Sequence, residues 1–430
     1  MPERVTPSCA LIAPIVLAGA CTAILGNDFE IVDETPGTGG SGLTQTSTSG
    51  GGGQGGSGGT APGCGDGIDQ AGELCLDEVV TLDGEYVATR MQAARLDADS
   101  RADLVVLDSL GTFHNYLGND DGSMQTKTPI PRGYDGTNTQ FVLADLDNNG
   151  VLDVVVLERD VALDVAGGDG NGSFIEFADN APPFSGWNNP TVGQFHEPSV
   201  ALDLAVDEGA AINIATADGV PDFPPDPWAS WFVWGPEETA ITVQGVRTTG
   251  DFNADGHDDI FNIEYPFGEP TIQFLMGRGD GTFYNQSRPL GTGTVPGEVI
   301  SARIDDDDID DGIVRLTDRL RVYFGAIDPG GTLGEGIGDG VDSVMGADAV
   351  AIAVGHVDGD PNIDVVACTI QNGGEIAILL GDGSGAFNPT ATLPGLACSL
   401  VAVGDFNGDG LGDIAKADDT NRVTVHMSNP

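Results

Sequence analysis

Aspartate and asparagine alternate along a short loop that this chain builds seven times, and their oxygens are spaced as the corners of a cation cage. The fullest copy reads Asp145-Leu146-Asp147-Asn148-Asn149-Gly150-Val151-Leu152-Asp153. With Asp145 as position one, side-chain oxygens fall at positions one, three, five and nine (Asp145, Asp147, Asn149, Asp153), and position seven (Val151) offers its backbone carbonyl. Glycine at position six permits the sharp bend. Hard oxygen donors on a tight turn suit calcium, whose large shell accepts about six to eight oxygens in flexible geometry.

Two further copies keep the whole set: Asp251, Asn253, Asp255 and Asp259 with the carbonyl of His257, and Asp405, Asn407, Asp409 and Asp413 with that of Leu411. An ordinary polar turn has no reason to repeat full ligand spacing three times, so Ca2+ is the expected cofactor of loops two, four and seven. The other copies are eroded and are weaker metal candidates. Arg95 and Arg303 stand at position one, ahead of Asp97, Asp99, Asp103 and of Asp305, Asp307, Asp311; a guanidinium there offers an internal ion pair in place of metal. His356 precedes Asp358, Asp360 and Asp364, with Pro361 where glycine is preferred. Loop three, from Gln194 through His196 to Asp203, is one residue too long and poor in oxygens, and is expected to be metal-free.

Position one recurs at residues 95, 145, 194, 251, 303, 356 and 405, steps of 50, 49, 57, 52, 53 and 49. Each loop sits between short apolar runs such as Phe141-Val142-Leu143 and Val154-Val155-Val156-Leu157. These runs are near-continuous rather than alternating, as expected of strands covered on both faces. A unit of this size cannot bury its own faces and must stack on neighbours, in a propeller or an open solenoid. The unit reads as strand, acidic loop, strand, third strand, Gly-rich turn, fourth strand.

That turn carries a second recurrent motif: Phe274-Leu275-Met276-Gly277-Arg278-Gly279-Asp280-Gly281-Thr282-Phe283, again at Leu379-Leu380-Gly381-Asp382-Gly383-Ser384-Gly385-Ala386-Phe387, and weakly at Tyr116-Leu117-Gly118-Asn119-Asp120-Asp121-Gly122. Both motifs in register resemble the FG-GAP (VCBS-type) repeats of integrin-α-like β-propellers and bacterial surface proteins, over residues 79–430. The resemblance implies an all-β, seven-bladed β-propeller and a protein or glycan ligand at a cell surface. The last unit ends after a third strand, Val423-Thr424-Val425-His426-Met427, and Val79-Val80-Thr81-Leu82 is placed to supply its fourth and so remove an open edge.

Sixteen basic against 67 acidic residues, a formal charge of −51, exclude nucleic acid and anionic membrane surfaces as electrostatic partners and favour cations. With 40 % hydrophobic residues the chain is nonetheless rich enough to build a packed domain. Residues 1–21 read as an export signal whose end, Leu17-Ala18-Gly19-Ala20-Cys21, resembles a lipobox; either Cys21 is lipidated or an ordinary signal peptide is cut nearby. Residues 22–63 form a Gly/Ser/Thr-rich tether. Residues 64–78 resemble the small Cys-Gly-Asp-Gly elements of secreted bacterial proteins, which implies a Cys64–Cys75 disulfide. Cys368 and Cys398 lie in successive repeats and form a second candidate pair in an oxidising compartment. The expected location is the cell envelope or surface, held by lipid, or else the medium.

Nothing in the sequence assembles a catalytic constellation, and the five histidines (114, 196, 257, 356, 426) are absorbed by the repeat. The chain is expected not to be an enzyme. Trp187, Trp228, Trp231 and Trp234 gather around the third repeat, beside Phe223-Pro224-Pro225-Asp226-Pro227. They form either a recognition surface or compensating core. The expected function is a calcium-binding surface module for adhesion, with a ligand-free structural envelope protein and a propeller enzyme acting on extracellular polymers as the alternatives.

Overall fold

The computed structural model describes Leu74, residues 76–82 and 86–428 except for short internal stretches, the longest being 180–186, 218–231, 235–246 and 327–339. The readings made for residues 1–73, for a Cys64–Cys75 pair, and for the Pro-rich stretch with Trp228 and Trp231 lie outside the described residues. So do the side chains of Trp187 and Trp234.

The chain is an all-β propeller. Its described strands pair into six four-stranded sheets and one five-stranded sheet, each an antiparallel meander around one acidic loop. The second sheet shows the plan: Thr139–Ala144, loop two, Asp153–Glu158, Ala162–Gly168, the Gly-rich turn, then Phe174–Asp179. The strand after the loop is buried along nearly its whole length, as are its counterparts Asp103–Asp108 and Asp364–Thr369, because a sheet covers each face.

The first sheet departs from the expected four-strand unit. Its outer edge is split into Met124–Thr126 and Ile130–Pro131, both paired with Thr112–Gly118. Pro129 and Pro131 lack the N–H that an uninterrupted edge strand would donate, which breaks the ladder there.

Apolar clusters join neighbouring sheets. Phe113 and Phe141 meet edge-to-face between the first and second sheets, with ring centroids 5.4 Å apart. Gln140 and Asn189 exchange hydrogen bonds of 2.7 and 3.1 Å between the second and third. Phe195 packs on Phe283 between the third and fourth, and Phe261 with Phe274 on Tyr323 between the fourth and fifth. Ile313 and Val365 share a cluster of the fifth and sixth sheets, Val366 and Ile414 one of the sixth and seventh. Tyr116 and Phe406 belong to the cluster that joins the seventh sheet to the first.

The seventh sheet combines both ends of the described chain. Leu76–Thr81 lies antiparallel to Val423–Ser428, with Val80 opposite Val425, so the fourth strand of the last repeat comes from before the first. Cys368 and Cys398 form a disulfide, Cα atoms 5.6 Å apart, that ties the sixth sheet to the chain entering the seventh.

Candidate metal centre in the acidic loops

Every loop is anchored by the aspartate at its end. In loop two the Asp153 carboxylate accepts the N–H of Leu146 at position two (2.9 Å) and the N–H of Gly168 at the end of the third strand (3.0 Å). The same two bonds recur at Asp103 with Leu96 and Gly118, Asp259 with Phe252 and Gly277, Asp311 with Ile304 and Gly325, Asp364 with Val357 and Gly381, and Asp413 with Phe406 and Ser428. The third-strand glycine is required by close approach: a Cβ at Gly168 would lie 2.3 Å from the carbonyl oxygen of Leu152 at position eight, and one at Gly381 2.1 Å from that of Ile363. This explains why the strand before the Gly-rich turn ends in glycine.

Burial pushes the carboxyls of Asp103, Asp153, Asp311, Asp364 and Asp413 up to about 7 and that of Asp259 to about 9; the backbone N–H bonds pull down, and the neighbouring loop carboxylates push further up. Folded values above the unfolded ones mean that stability present below about pH 4 is lost as pH rises through about 7, and through about 9 for Asp259. In chelator the melting temperature is therefore expected to be lower at pH 8 than at pH 5. A thermal melt that is flat or rising across that interval would contradict this assignment.

The complete loops share one backbone shape. Asp145 accepts the N–H groups of Asn149 (2.9 Å) and Gly150 (2.7 Å), Asp147 accepts Asn149 (3.1 Å), and Asn149 accepts Val151 (2.7 Å). Asp251 and Asp405 repeat the pattern with Asp255 and Gly256 and with Asp409 and Gly410. Positions four and six lie in the left-handed region in all three: Asn148 and Gly150, Ala254 and Gly256, Gly408 and Gly410. The wrapping turns the side-chain oxygens inward, and in loop two carboxylate oxygens of Asp145, Asp147 and Asp153 come within 4.8 Å of one another. Converging carboxylates repel and call for a counter-charge. The donors fit calcium: side-chain oxygens of Asp145, Asp147, Asn149 and Asp153 with the Val151 carbonyl would hold it, and the equivalent atoms in loops four and seven likewise.

The eroded loops bring in a basic side chain. In loop one the guanidinium of Arg101 at position seven pairs with Asp99 and with Asp120 of the following turn, a basic partner additional to the Arg95 expected from the sequence. In loop three His196 Nδ1 is 3.1 Å from the Asp203 carboxylate. In loop five Arg303 does pair within the loop, but with Asp310 at position eight (3.5 Å). In loop six His356 Nδ1 donates to the carbonyl of Asn362 at position seven (2.9 Å), occupying the oxygen a metal would need, and Pro361 denies position six its left-handed turn. Among the described ion pairs none involves a carboxylate of loops two or seven.

Ser428 was not anticipated. It stands where five of the other units have glycine, and its hydroxyl lies 2.9–3.0 Å from carboxylate oxygens of Asp409 and Asp413, tying the last strand to loop seven. The loops are also stitched to one another. The N–H at position eight donates to the position-one carbonyl of the preceding loop at Ala102–Asp405, Asp258–Gln194, Asp310–Asp251 and Gly412–His356. These bonds chain loops six, seven and one to one another, and loops three, four and five likewise.

A repeated antiparallel meander with an acidic loop between its first two strands, packed sheet on sheet, defines a β-propeller. Residues 95–156 and 356–415 match the profile of the FG-GAP-like repeat, each span running from position one of a loop into the strand after the next. The chain is a propeller carrying FG-GAP-like repeats. No curated protein matches it. Among solved structures, BBS1N in complex with ARL6DN is similar at 12 % identity, covering 83 % of this chain and 97 % of that one, with TM-scores of 0.53 and 0.54 in its lead- and mercury-soaked forms. An Agrocybe aegerita lectin described as recognising non-reducing terminal N-acetylglucosamine aligns at 15 % identity over 73 % of this chain and 80 % of its own, with a TM-score of 0.47. These likenesses concern the fold.

Proposed function

We propose that the chain is an exported, calcium-clipped propeller of seven blades that serves at the cell surface as a binding or adhesion module for a protein or glycan. One contrast carries the calcium reading. Loops one, three, five and six bring an arginine or histidine onto a loop group, whereas in loops two and seven, with every oxygen position kept, no carboxylate enters a described ion pair. Calcium supplies the missing charge in loops two, four and seven and so fixes the loops. Seven sheets packed in succession, the last sharing strands from both ends of the chain, support a closed ring. The Cys368–Cys398 disulfide agrees with an oxidising compartment, and attachment through a lipid on Cys21 followed by the 22–63 tether would hold the ring off a membrane.

The binding role is tested on glycan arrays and by pull-down from envelope or extracellular extracts, with calcium and with excess chelator. Saturable capture that disappears in chelator is expected. Absence of any calcium-dependent ligand would favour a structural envelope protein, and turnover of an extracellular polymer abolished by a single cleft substitution would favour an enzyme.

A further inference from the structure

Loop five contributes to its neighbour. Asp310, at position eight of loop five, is 3 % exposed, and its Oδ2 accepts the N–H of Asp251 at 2.9 Å. In return the Asp310 N–H donates to the Asp251 carbonyl at 3.3 Å. The backbone of Asp251, position one of loop four, is thus gripped on both sides by a residue of the next sheet. Arg303 Nε stands 3.5 Å from the other Asp310 oxygen. Gly250 makes the room: a Cβ there would lie 2.8 Å from Asp310 Oδ2.

A carboxylate at position eight is confined to two of the loops with a nine-residue span or its near equivalent, through Asp258 and Asp310; loops one, two, six and seven carry Ala102, Leu152, Ile363 and Gly412 there. Asp258 grips Gln194 of loop three in the same way, accepting its N–H at 2.6 Å, with Gly193 leaving the space. Gln194 begins a loop without a ligand set, so that clasp only joins sheets. The Asp310 clasp differs in what it holds. Asp251 directs its carboxylate through bonds from Asp255 (3.2 Å) and Gly256 (2.9 Å), and its backbone sets where that carboxylate points.

We infer that loop five, having replaced its own first ligand with Arg303, acts as the outer part of the loop-four centre: Asp310 is a positioning residue for Asp251, and Arg303 steadies Asp310. The inference rests on the calcium reading of loop four. It makes that centre a joint product of two neighbouring sheets, so calcium bound there also fastens them together.

The test uses the full chain, stripped of metal and titrated with calcium by calorimetry, with melts in calcium and in chelator. Asp310→Ala is expected to weaken one of the calcium sites roughly 10–100-fold, the usual effect of removing a group that orients a ligand. Asp310→Asn keeps an oxygen for the Asp251 N–H and should stay within several-fold of the parent. Gln140→Ala, which removes the hydrogen bonds joining the second and third sheets away from loop four, should lower both melts equally and leave the calcium isotherm unchanged. Unaltered affinities in Asp310→Ala, with equal losses of melting temperature in calcium and chelator, would reduce Asp310 to a sheet fastener and overturn the inference. Asp251→Ala separates the two levels: if it binds as much calcium as the parent, the calcium reading of loop four fails, and the inference with it.

Discussion

Removing calcium with excess chelator should lower the melting temperature by about 6 °C, and restoring it should bring the temperature back. The size follows from linkage. Extracellular calcium modules bind at roughly 10⁻⁴–10⁻³ M, so at about tenfold excess over Kd each site adds about 1.4 kcal/mol and three sites about 4 kcal/mol. With an unfolding entropy of about 2.1 cal/mol/K per residue over roughly 350 residues, each kcal/mol moves the transition by about 1.4 °C. The effect should divide by loop. Replacing Asp145 and Asp147 with asparagine should remove about a third of the calcium-dependent increment, whereas the same change at Asp358 and Asp360 should remove none, because His356 already occupies the Asn362 carbonyl. Superimposable melts in calcium and chelator would eliminate the metal from the loops.

The repeat was legible because burial on both faces forces apolar runs, and the loop between them keeps fixed spacing. Strands such as Asp153–Glu158 and Asp364–Thr369, and the pairing of Leu76–Thr81 with Val423–Ser428, follow from that pattern and from the need to cover an edge. The interrupted edge of the first sheet was signalled by Pro129 and Pro131, but a template of equal units hides it. Within the loops, residue types announced a cation, while side-chain reach decided which charge answers which. Arg95 fills the slot of the first ligand, and Arg101, which the ligand template does not single out, also meets Asp99 and Asp120. Partners that come from another sheet, such as Asp310 on Asp251, leave no local mark in sequence beyond a glycine at position 250.

The aspartate at position nine was read as a ligand, and its geometry gives it a second task that calcium cannot replace. Asp259→Ala is expected to destabilise the protein by about 2–6 kcal/mol in chelator and by at least as much in calcium. Its side chain is fully buried, and removal strands the N–H of Phe252 (3.0 Å) and of Gly277 (2.7 Å), each a donor whose loss of partner costs about 1–3 kcal/mol. With burial raising the Asp259 carboxyl to about 9, it carries a proton in the apo protein at neutral pH and is a weaker acceptor for the two N–H groups, which accounts for the lower end of the range. Asparagine separates the two roles. As a ligand it would serve, since Asn253 and Asn407 stand at ligand positions in complete loops. As an anchor it fails, because both carboxyl oxygens can accept a backbone N–H, even when one is protonated, whereas an amide nitrogen cannot. Asp259→Asn should therefore unfold at lower denaturant than the parent even in chelator, whereas Asp255→Asn should differ from the parent chiefly when calcium is present. Equal midpoints for Asp259→Asn and the parent in chelator would show that the carboxylate serves the cation alone.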